Sequence, residues 1–505
     1  MRPLLFQESQ RLRGGPHEPS HVAFAARAFI ADRGLRKSTV RHRRLLAKPI
    51  AVALWQLGAE PFAAAAIGWG ESHTMPYMAA PGEPRNRALT FAALLEFARW
   101  FNPRFEAQAT DRETFTRGDY TFSVARTAPQ VVVANRGTVE FLGRLGRRLA
   151  YLPIDGKWAV DPALVRVGRH LRFLWDHHNR PGQQLIVAMT ELMNDHWATP
   201  LSAGEKESLS ALDAFIEPPT GVGGFDAAAD AELCPVGPVP DGEDDECLMP
   251  LVEQLNAARN GSTEPVGIAP LLKPIMDHYR PLLRRTWDLL WRCRDREATV
   301  LEARSVGRRW DVDRDAYTRH VDWMNRNGLR RTRHTPRQAA MTLRNLEEAG
   351  RLVEAEEACD DPLRMAAYVL ANKAVRGTVV DVDPTHREPG PKRMVTRPLV
   401  TLRSPDPCLI PVGREVWWTG QSEGKEFVVE DVTPTPAGGS DIVLKLMSSS
   451  NTTGLPGMGN AACFSIHSTK PGWLGQLPDD VPWTHQTAVP AAPAEAIDDV
   501  TALEA

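Results

Sequence analysis

"PIAVALWQLGAEPFAAAAIGWG", residues 49–70, is the most apolar stretch of the chain, and the fold of the N-terminal half turns on how it is read. Gln56, Glu60 and Pro61 interrupt it. It is therefore too broken to span a bilayer and reads as a buried helix. Around it, apolar positions recur at helical spacing in "ALTFAALLEFARWF" (88–101), "TVEFLGRLGRRLAYL" (138–152), "ALVRVGRHLRFLWDHH" (163–178) and "QQLIVAMTELMNDHW" (183–197). One β-like run, "APQVVVAN" (128–135), interrupts them. Residues 1–216 are thus expected to form an N-terminal helical domain.

Further along, the composition changes twice. Residues 217–265 are rich in Gly and Pro and carry the acidic cluster Asp241–Glu246, which predicts a linker or exposed loop. Helical periodicity resumes over 266–374, where Leu283, Trp287, Leu290 and Trp291 share one face and predict core. Within this region Thr335, Pro336 and Gln338 spell a capping box with proline at the first helical position. Ala339, Leu343, Leu346, Gly350 and Val353 follow as one narrow packing seam, and Asp361–Pro362 starts another helix. From 375 to 485 the runs become short, β-branched or aromatic, and turn-punctuated, as in "VRGTVVDVD", "REVWWTG" and "SDIVLKL". They predict a small antiparallel β-barrel or sandwich. Residues 486–505 read as a disordered tail. The expected fold class is α+β, a mainly α-helical body with a C-terminal barrel. Long helices followed by a small barrel, over about 335–485, are similar to the stalk-and-barrel insert of one helicase superfamily. No residue carries over from that likeness.

The net charge of the 505-residue chain is only −3, so a polyanion would have to be met by local patches. Such patches exist. Arg326, Arg330, Arg331, Arg333 and Arg337 surround the predicted helix start at Thr335, with Arg344 beyond, and no carboxylate lies between Asn325 and Leu346. A helix N-terminus carries about +0.5 charge and outward-pointing N–H groups. Cations there repel it unless an anion intervenes, and a phosphate backbone would supply several. A second run, "DRGLRKSTVRHRRLLAK" (32–48), sets Arg36, Lys37, Arg41, Arg43 and Arg44, among other cations, against the single acid Asp32. Trp417 and Trp418 sit in one predicted strand, so one faces the core and the other is either a surface for stacking on bases or the contact to the helical part. The competing expectation is a solvated or internally paired face for the first run, with "DGEDDE" (241–246) as one candidate partner, and for the second a basic amphipathic helix packed on Leu35, Val40 and Leu45. About fifty of the 60 basic residues are arginine, and this general bias weakens any claim that arginine was selected at these positions.

Catalytic signatures are sparse. No GxxxxGK[ST], GxSxG or HExxH occurs. "WDHHNRPGQQLIVAMTELMNDHW" gathers Asp176, His177, His178, Glu191, Asp195 and His196, residue types that hold Mn²⁺, Fe²⁺ or Zn²⁺ for hydrolysis. However, adjacent histidines diverge by about 100° on a helix. Asp406, Glu423 and Lys425 form a looser nuclease-like set. The six cysteines are scattered without a CxxC pair, and "MRPLLFQESQRLRGG" lacks a signal-peptide core, which together predict a cytoplasmic protein without membrane attachment. The expected function is a non-catalytic nucleic-acid-binding accessory subunit that contacts a DNA or RNA backbone. It would need no metal or cofactor of its own and would serve a separate protein carrying motor or nuclease activity, in DNA processing or phage defence. A metal-dependent phosphodiesterase and a protein–protein scaffold are the alternatives.

Overall fold

The computed structural model describes residues 20–472 apart from 57–63, 75, 85, 235, 238–242, 262–268, 327, 329–334, 391–392, 421–424 and 448–453. Its first structural decision overturns the expected helix at 49–70. Strand β1 (Ile50–Gln56) and strand β2 (Ala64–Gly70) pair antiparallel in that stretch, with Ala51 opposite Gly70 and Leu54 opposite Ile67. Every residue of both strands is buried. The physical reason is coverage on both faces. Ile50, Val52 and Leu54 enter one core while Ala51, Ala53 and Trp55 enter another. A strand buried on both sides shows an unbroken apolar run, and periodicity cannot separate that from a buried helix.

The sheet grows from this hairpin. Strand β3 (Tyr77–Ala79) pairs antiparallel with β2. After helix α1 (Arg87–Ala107) and an exposed ribbon of β4 (Arg112–Arg117) and β5 (Tyr120–Ala125), strand β6 (Val131–Val133) returns parallel to β1. Helices α2 (Arg136–Leu149) and α3 (Pro162–His178) then lead to β7 (Ile186–Ala188), parallel to β6. The strand order is β3-β2-β1-β6-β7. The predicted N-terminal helical domain therefore contains a five-stranded mixed sheet, of which only the 128–135 run was legible as strand.

Helices cover both faces. On one side Phe97, Phe101 and Phe105 of α1, Leu142 and Leu145 of α2, and Leu171 and Leu174 of α3 form a continuous core. On the other pack α4 (Met189–His196), α5 (Leu209–Ile216), α6 (Gly224–Glu232), α7 (Glu243–Gly261) and the long α8 (Ala269–Ala298). Leu283, Trp287, Leu290 and Trp291 of α8 are all buried, as their shared face predicts. The expected linker at 217–265 is corrected by α6 and α7, whose Ala227, Ala228, Leu248 and Leu255 are buried. Ala227 and Ala228 of α6 face the core, since alanines suit a helix packed closely on its neighbours.

Helix α9 (Val306–Asn325) adds Trp310, Tyr317 and Val321 to the first core. Next, α10 (Pro336–Asp360) begins with the predicted capping box: the Thr335 hydroxyl accepts from Gln338 N–H, and the Gln338 side chain accepts from Thr335 N–H. The expected seam is only half used. Ala339 and Leu343 are exposed, whereas the Gly350 and Val353 end lies against Pro181 and Gly182. Helix α11 (Pro362–Leu370), capped by Asp361, leads into the barrel.

The barrel is a closed antiparallel sheet of β8 (Ala374–Asp383), β9 (Leu399–Ser404), β10 (Glu415–Trp418), β11 (Glu426–Pro434), β12 (Ser440–Leu446) and β13 (Ala461–Ser465) in the order β8-β9-β12-β11-β10-β13. Closure leaves no unpaired edge. Alternate residues such as Ile442, Leu444 and Leu446 point inward around Phe427 and Phe464. The chain is thus α+β as expected, and among the described residues no helix is long and apolar enough to cross a membrane. The expected tail at 486–505 lies outside the described residues.

Candidate nucleic-acid interface

The two arginine runs end in different surroundings. In the first, nearly every guanidinium meets a carboxylate of the chain itself. Arg36 pairs with Glu297 at 3.4 Å, Arg41 and Arg44 share Glu302 at 3.2 and 2.9 Å, and Arg43 reaches Asp195 at 3.3 Å and Glu191 at 3.8 Å. Arg41 is buried, and burial lowers its pKa against the opposing pull of Glu302. Burial likewise lowers that of half-buried Lys37, with Asp195 opposing. Arg36 and Arg44 also lie over the rings of Trp197 and Trp310, both at 5.3 Å.

This run is a structural joint. The fully buried Glu297 accepts from His196 Nδ1 at 2.9 Å and from Trp197 Nε1 at 2.7 Å. His196 Nε2 in turn accepts the His42 backbone N–H at 3.3 Å, which fixes the proton on Nδ1. Burial pushes Glu297 up, but these bonds and the Arg36 charge outweigh it and hold the carboxyl below its usual range. Asp361 closes the joint from the other side. Its carboxylate accepts from Thr39 N–H at 3.2 Å, Thr39 Oγ1 at 2.9 Å and Leu363 N–H at 3.0 Å, with His42 Nε2 at 3.4 Å. "DGEDDE" supplies none of these partners: they come from the end of α8, the following loop, α4 and the start of α11.

The run at 326–337 differs. Arg326 is exposed, and its Nε donates to the carbonyl of Asp322 at 3.2 Å. Arg330, Arg331 and Arg333 lie outside the described residues. Arg337 is exposed, as is every residue from Thr335 to Leu343. At the rise of an α-helix, about 1.5 Å per residue, roughly two turns of α10 stand clear of the body. The inverted charge order of this helix finds its explanation at the other end. Glu356 and Glu357 pair with Arg309 at 3.3 and 3.4 Å, and Arg308 and Arg364 join them. Asp360 accepts the Ser305 N–H at 2.8 Å. The carboxylates sit against the helix dipole because they dock α10 onto arginines of α9 and α11, at the end opposite the one where the sequence concentrates arginine.

Trp417 is half-buried on the outer face of the barrel, while Trp418 packs at the core, as strand alternation predicts. The metal candidates do not converge. His177 Nε2 bonds Asp313 at 2.7 Å and His178 Nε2 bonds Glu191 at 2.9 Å, facing apart as adjacent helical residues do. Asp195 serves Arg43, and His196 serves Glu297. Burial pushes Glu191 up, yet His178, Arg43 and Arg136 outweigh it and keep the carboxyl low. Among the described residues no group of three or more His, Cys, Asp or Glu is placed to hold a metal ion. A polar cleft of about 510 Å³ does open here, lined by Arg43, Arg136, His178, Arg180, Glu191 and Asp195 among others. Its two signs of charge largely neutralise each other. Of the looser set, Glu423 lies outside the described residues, and the Asp406 backbone N–H donates to the Ser404 hydroxyl at 3.1 Å.

Sequence reasoning also passed over the turn between α2 and α3, where "GRRLAYLPIDGKW" (146–158) exposes aromatics among cations. The available signal was a Lys–Trp pair placed directly after an Asp–Gly turn. No protein family matches the chain, and neither does any curated protein or solved structure.

Proposed function

We propose that the protein is a nucleic-acid-binding accessory subunit that lays a DNA or RNA backbone across the free start of α10 and serves a separate protein carrying motor or nuclease activity, in DNA processing or phage defence. One observation carries the reading. The acidic half of α10 is docked and neutralised, while residues 335–343 are exposed at the end where the sequence concentrates arginine. Phosphate oxygens there would meet both guanidinium groups and the positive pole of the helix. The reading of an accessory subunit is supported by the scatter of the metal candidates, since His177 bonds Asp313, His178 bonds Glu191 and Asp195 pairs with Arg43.

Fluorescence anisotropy with labelled oligonucleotides across a salt series tests it. The wild type is expected to bind at low salt, with affinity falling steeply as salt rises. Replacing Arg330, Arg331 and Arg333 together by Gln should reduce the salt slope by up to about one for each phosphate no longer neutralised. Absence of affinity at about 50 mM salt, or an unchanged slope in the triple variant, overturns the proposal.

A scaffold reading has its own observation. The β4–β5 ribbon is anchored at its base, where Ala125 N–H donates to Thr318 Oγ1 at 3.0 Å and Arg112 pairs with Asp322. Beyond the base its strands are solvent-facing, and register places Phe115 opposite Phe122 with Tyr120 on the same face, all three exposed. Such an aromatic face suits a protein partner. Pull-down with and without nuclease treatment separates the two. A complex that survives nuclease but is lost when Phe115, Tyr120 and Phe122 become Ser favours the scaffold, and a complex lost on nuclease treatment favours the nucleic acid.

A further inference from the structure

The α2–α3 turn is built to hold a fixed shape. Its ends are tied by the Val160 N–H to Pro153 carbonyl bond at 2.9 Å, and a tighter turn inside it by Ala159 N–H to Gly156 at 3.2 Å. Gly156 has φ of 79°, a left-handed conformation that a side chain would strain. Leu152 and Val160 pack on the first core and anchor the loop. The apolar residues that remain point outward: Trp158 is 64% exposed, and Tyr151 and Ile154 are exposed too. Cations cover one side of each aromatic ring, Lys157 lying 5.1 Å from the Trp158 centroid and Arg172 lying 5.3 Å from that of Tyr151. Arg144 and Arg147 on the last turns of α2 are exposed, and no carboxylate among the described residues pairs with either. Between Arg144 and Ala159 the only acid is Asp155.

We infer that this turn binds an unpaired nucleic-acid strand, with bases stacking on Trp158 and Tyr151 and phosphates meeting Arg144, Arg147 and Lys157. Stacking platforms interleaved with cations are how proteins hold single strands without reading their sequence, because every base offers a π-face. An anionic membrane would share the charge, but it needs a continuous apolar face. Here Asp155 and Lys157 separate Ile154 from Trp158. The inference concerns a second surface and adds a preference for unpaired strands. It shares with the α10 reading only the class of ligand.

The test compares a labelled oligothymidylate of about 16 nucleotides with a duplex of equal length by anisotropy. With 14 tryptophans in the chain, a labelled probe is required in place of intrinsic fluorescence. Trp158→Ala should weaken strand binding about tenfold, and Trp158→Phe should retain most of the affinity because the stacking face survives. Arg144→Gln with Arg147→Gln should lower the salt slope for the single strand by about 1.4, two phosphates at about 0.7 each. Equal affinity of wild type and Trp158→Ala for the strand overturns the inference, and so does wild-type binding to phosphatidylserine vesicles without binding to the strand. Variants at Arg330, Arg331 and Arg333 run in parallel keep the two surfaces apart. Loss there with no effect of Trp158→Ala removes only this inference, and the reverse removes only the α10 reading.

Discussion

Residues 36–44 and residues 326–337 carry arginine at similar density, yet the first set lies against Glu297, Glu302, Asp195 and Glu191 while the second borders an exposed helix start. As sequence, each is a run of cations nearly devoid of acids. The difference lies in partners far away along the chain: Arg36 meets a carboxylate 261 residues on. A local charge run therefore states only that charge must be compensated. Whether the compensation comes from within or from outside depends on which carboxylates the fold brings near. At 36–44 they arrive from α8, α4 and the loop before α9. At α10 they are spent at the opposite end of the same helix.

The largest effect that would sharpen this contrast is expected at Glu297. Glu297→Ala leaves Arg36, His196 and Trp197 without their shared acceptor in a buried setting, and should destabilise the fold by roughly 3–5 kcal/mol. Urea denaturation measures it, and a loss below about 1 kcal/mol would show that the 36–44 joint is not held by its ion pairs. If their charges are met from outside the fold, removing Arg330, Arg331 and Arg333 together should leave the same denaturation curve within about 0.5 kcal/mol.

A second buried network gives the contrast a pH axis. Glu106 accepts from His170 Nε2 at 2.6 Å and from Arg166 Nη2 at 2.7 Å, and His170 Nδ1 lies 3.0 Å from His320 Nε2. Burial pushes Glu106 up, but the His170 and Arg166 bonds outweigh it and bring its pKa from 4.5 to about 2. Its contribution to stability is complete above pH 4.5 and is lost as pH falls toward about 2. Burial lowers the His170 pKa from 6.5, so the unfolded chain takes up that proton first and stability begins to decline below pH 6.5. Denaturation midpoints should therefore fall with acid across this range. In Glu106→Gln the Glu106 share of the decline below pH 4.5 should be missing, while the His170 share remains. Midpoints that stay level from pH 6.5 down to the Glu106 value of about 2 would contradict the assignment.

Thr335→Ala carries a smaller effect. The capping box is worth about 1 kcal/mol to the helix start, but the first turns of α10 are exposed and contribute little to the core. Hydrogen exchange over residues 336–343 should quicken several-fold while the global midpoint holds. A shifted midpoint would mean that this end of α10 is packed after all. The smallest expected effect is at Arg43. Since its guanidinium is held by Asp195 and Glu191, Arg43→Gln should leave oligonucleotide affinity within about twofold of wild type. A tenfold loss would reopen the first arginine run as a binding surface.

Local chemistry was legible wherever neighbours in sequence are neighbours in space. The capping box at Thr335, the N-cap at Asp361, the buried stripe of α8 and the alternating strands of the barrel all depend on residues within a few positions of each other. Those short-range signals placed the caps and the alternating strands, but not the break between α8 and α9. The candidate site was legible only as a charge run. The exposure of α10 could not be read, because the seam at Ala339 and Leu343 has the same spacing whether or not a partner covers it.

By itself the sequence determined an α+β chain, a small antiparallel C-terminal β-domain, barrel or sandwich, the caps and the need to neutralise two arginine runs. Tertiary structure alone decided that residues 50–56 and 64–70 are strands, since only helices on both sides explain an unbroken apolar sheet. It alone decided which arginines are neutralised internally, because an ion pair forms where the fold delivers a carboxylate, however distant the two residues stand along the chain.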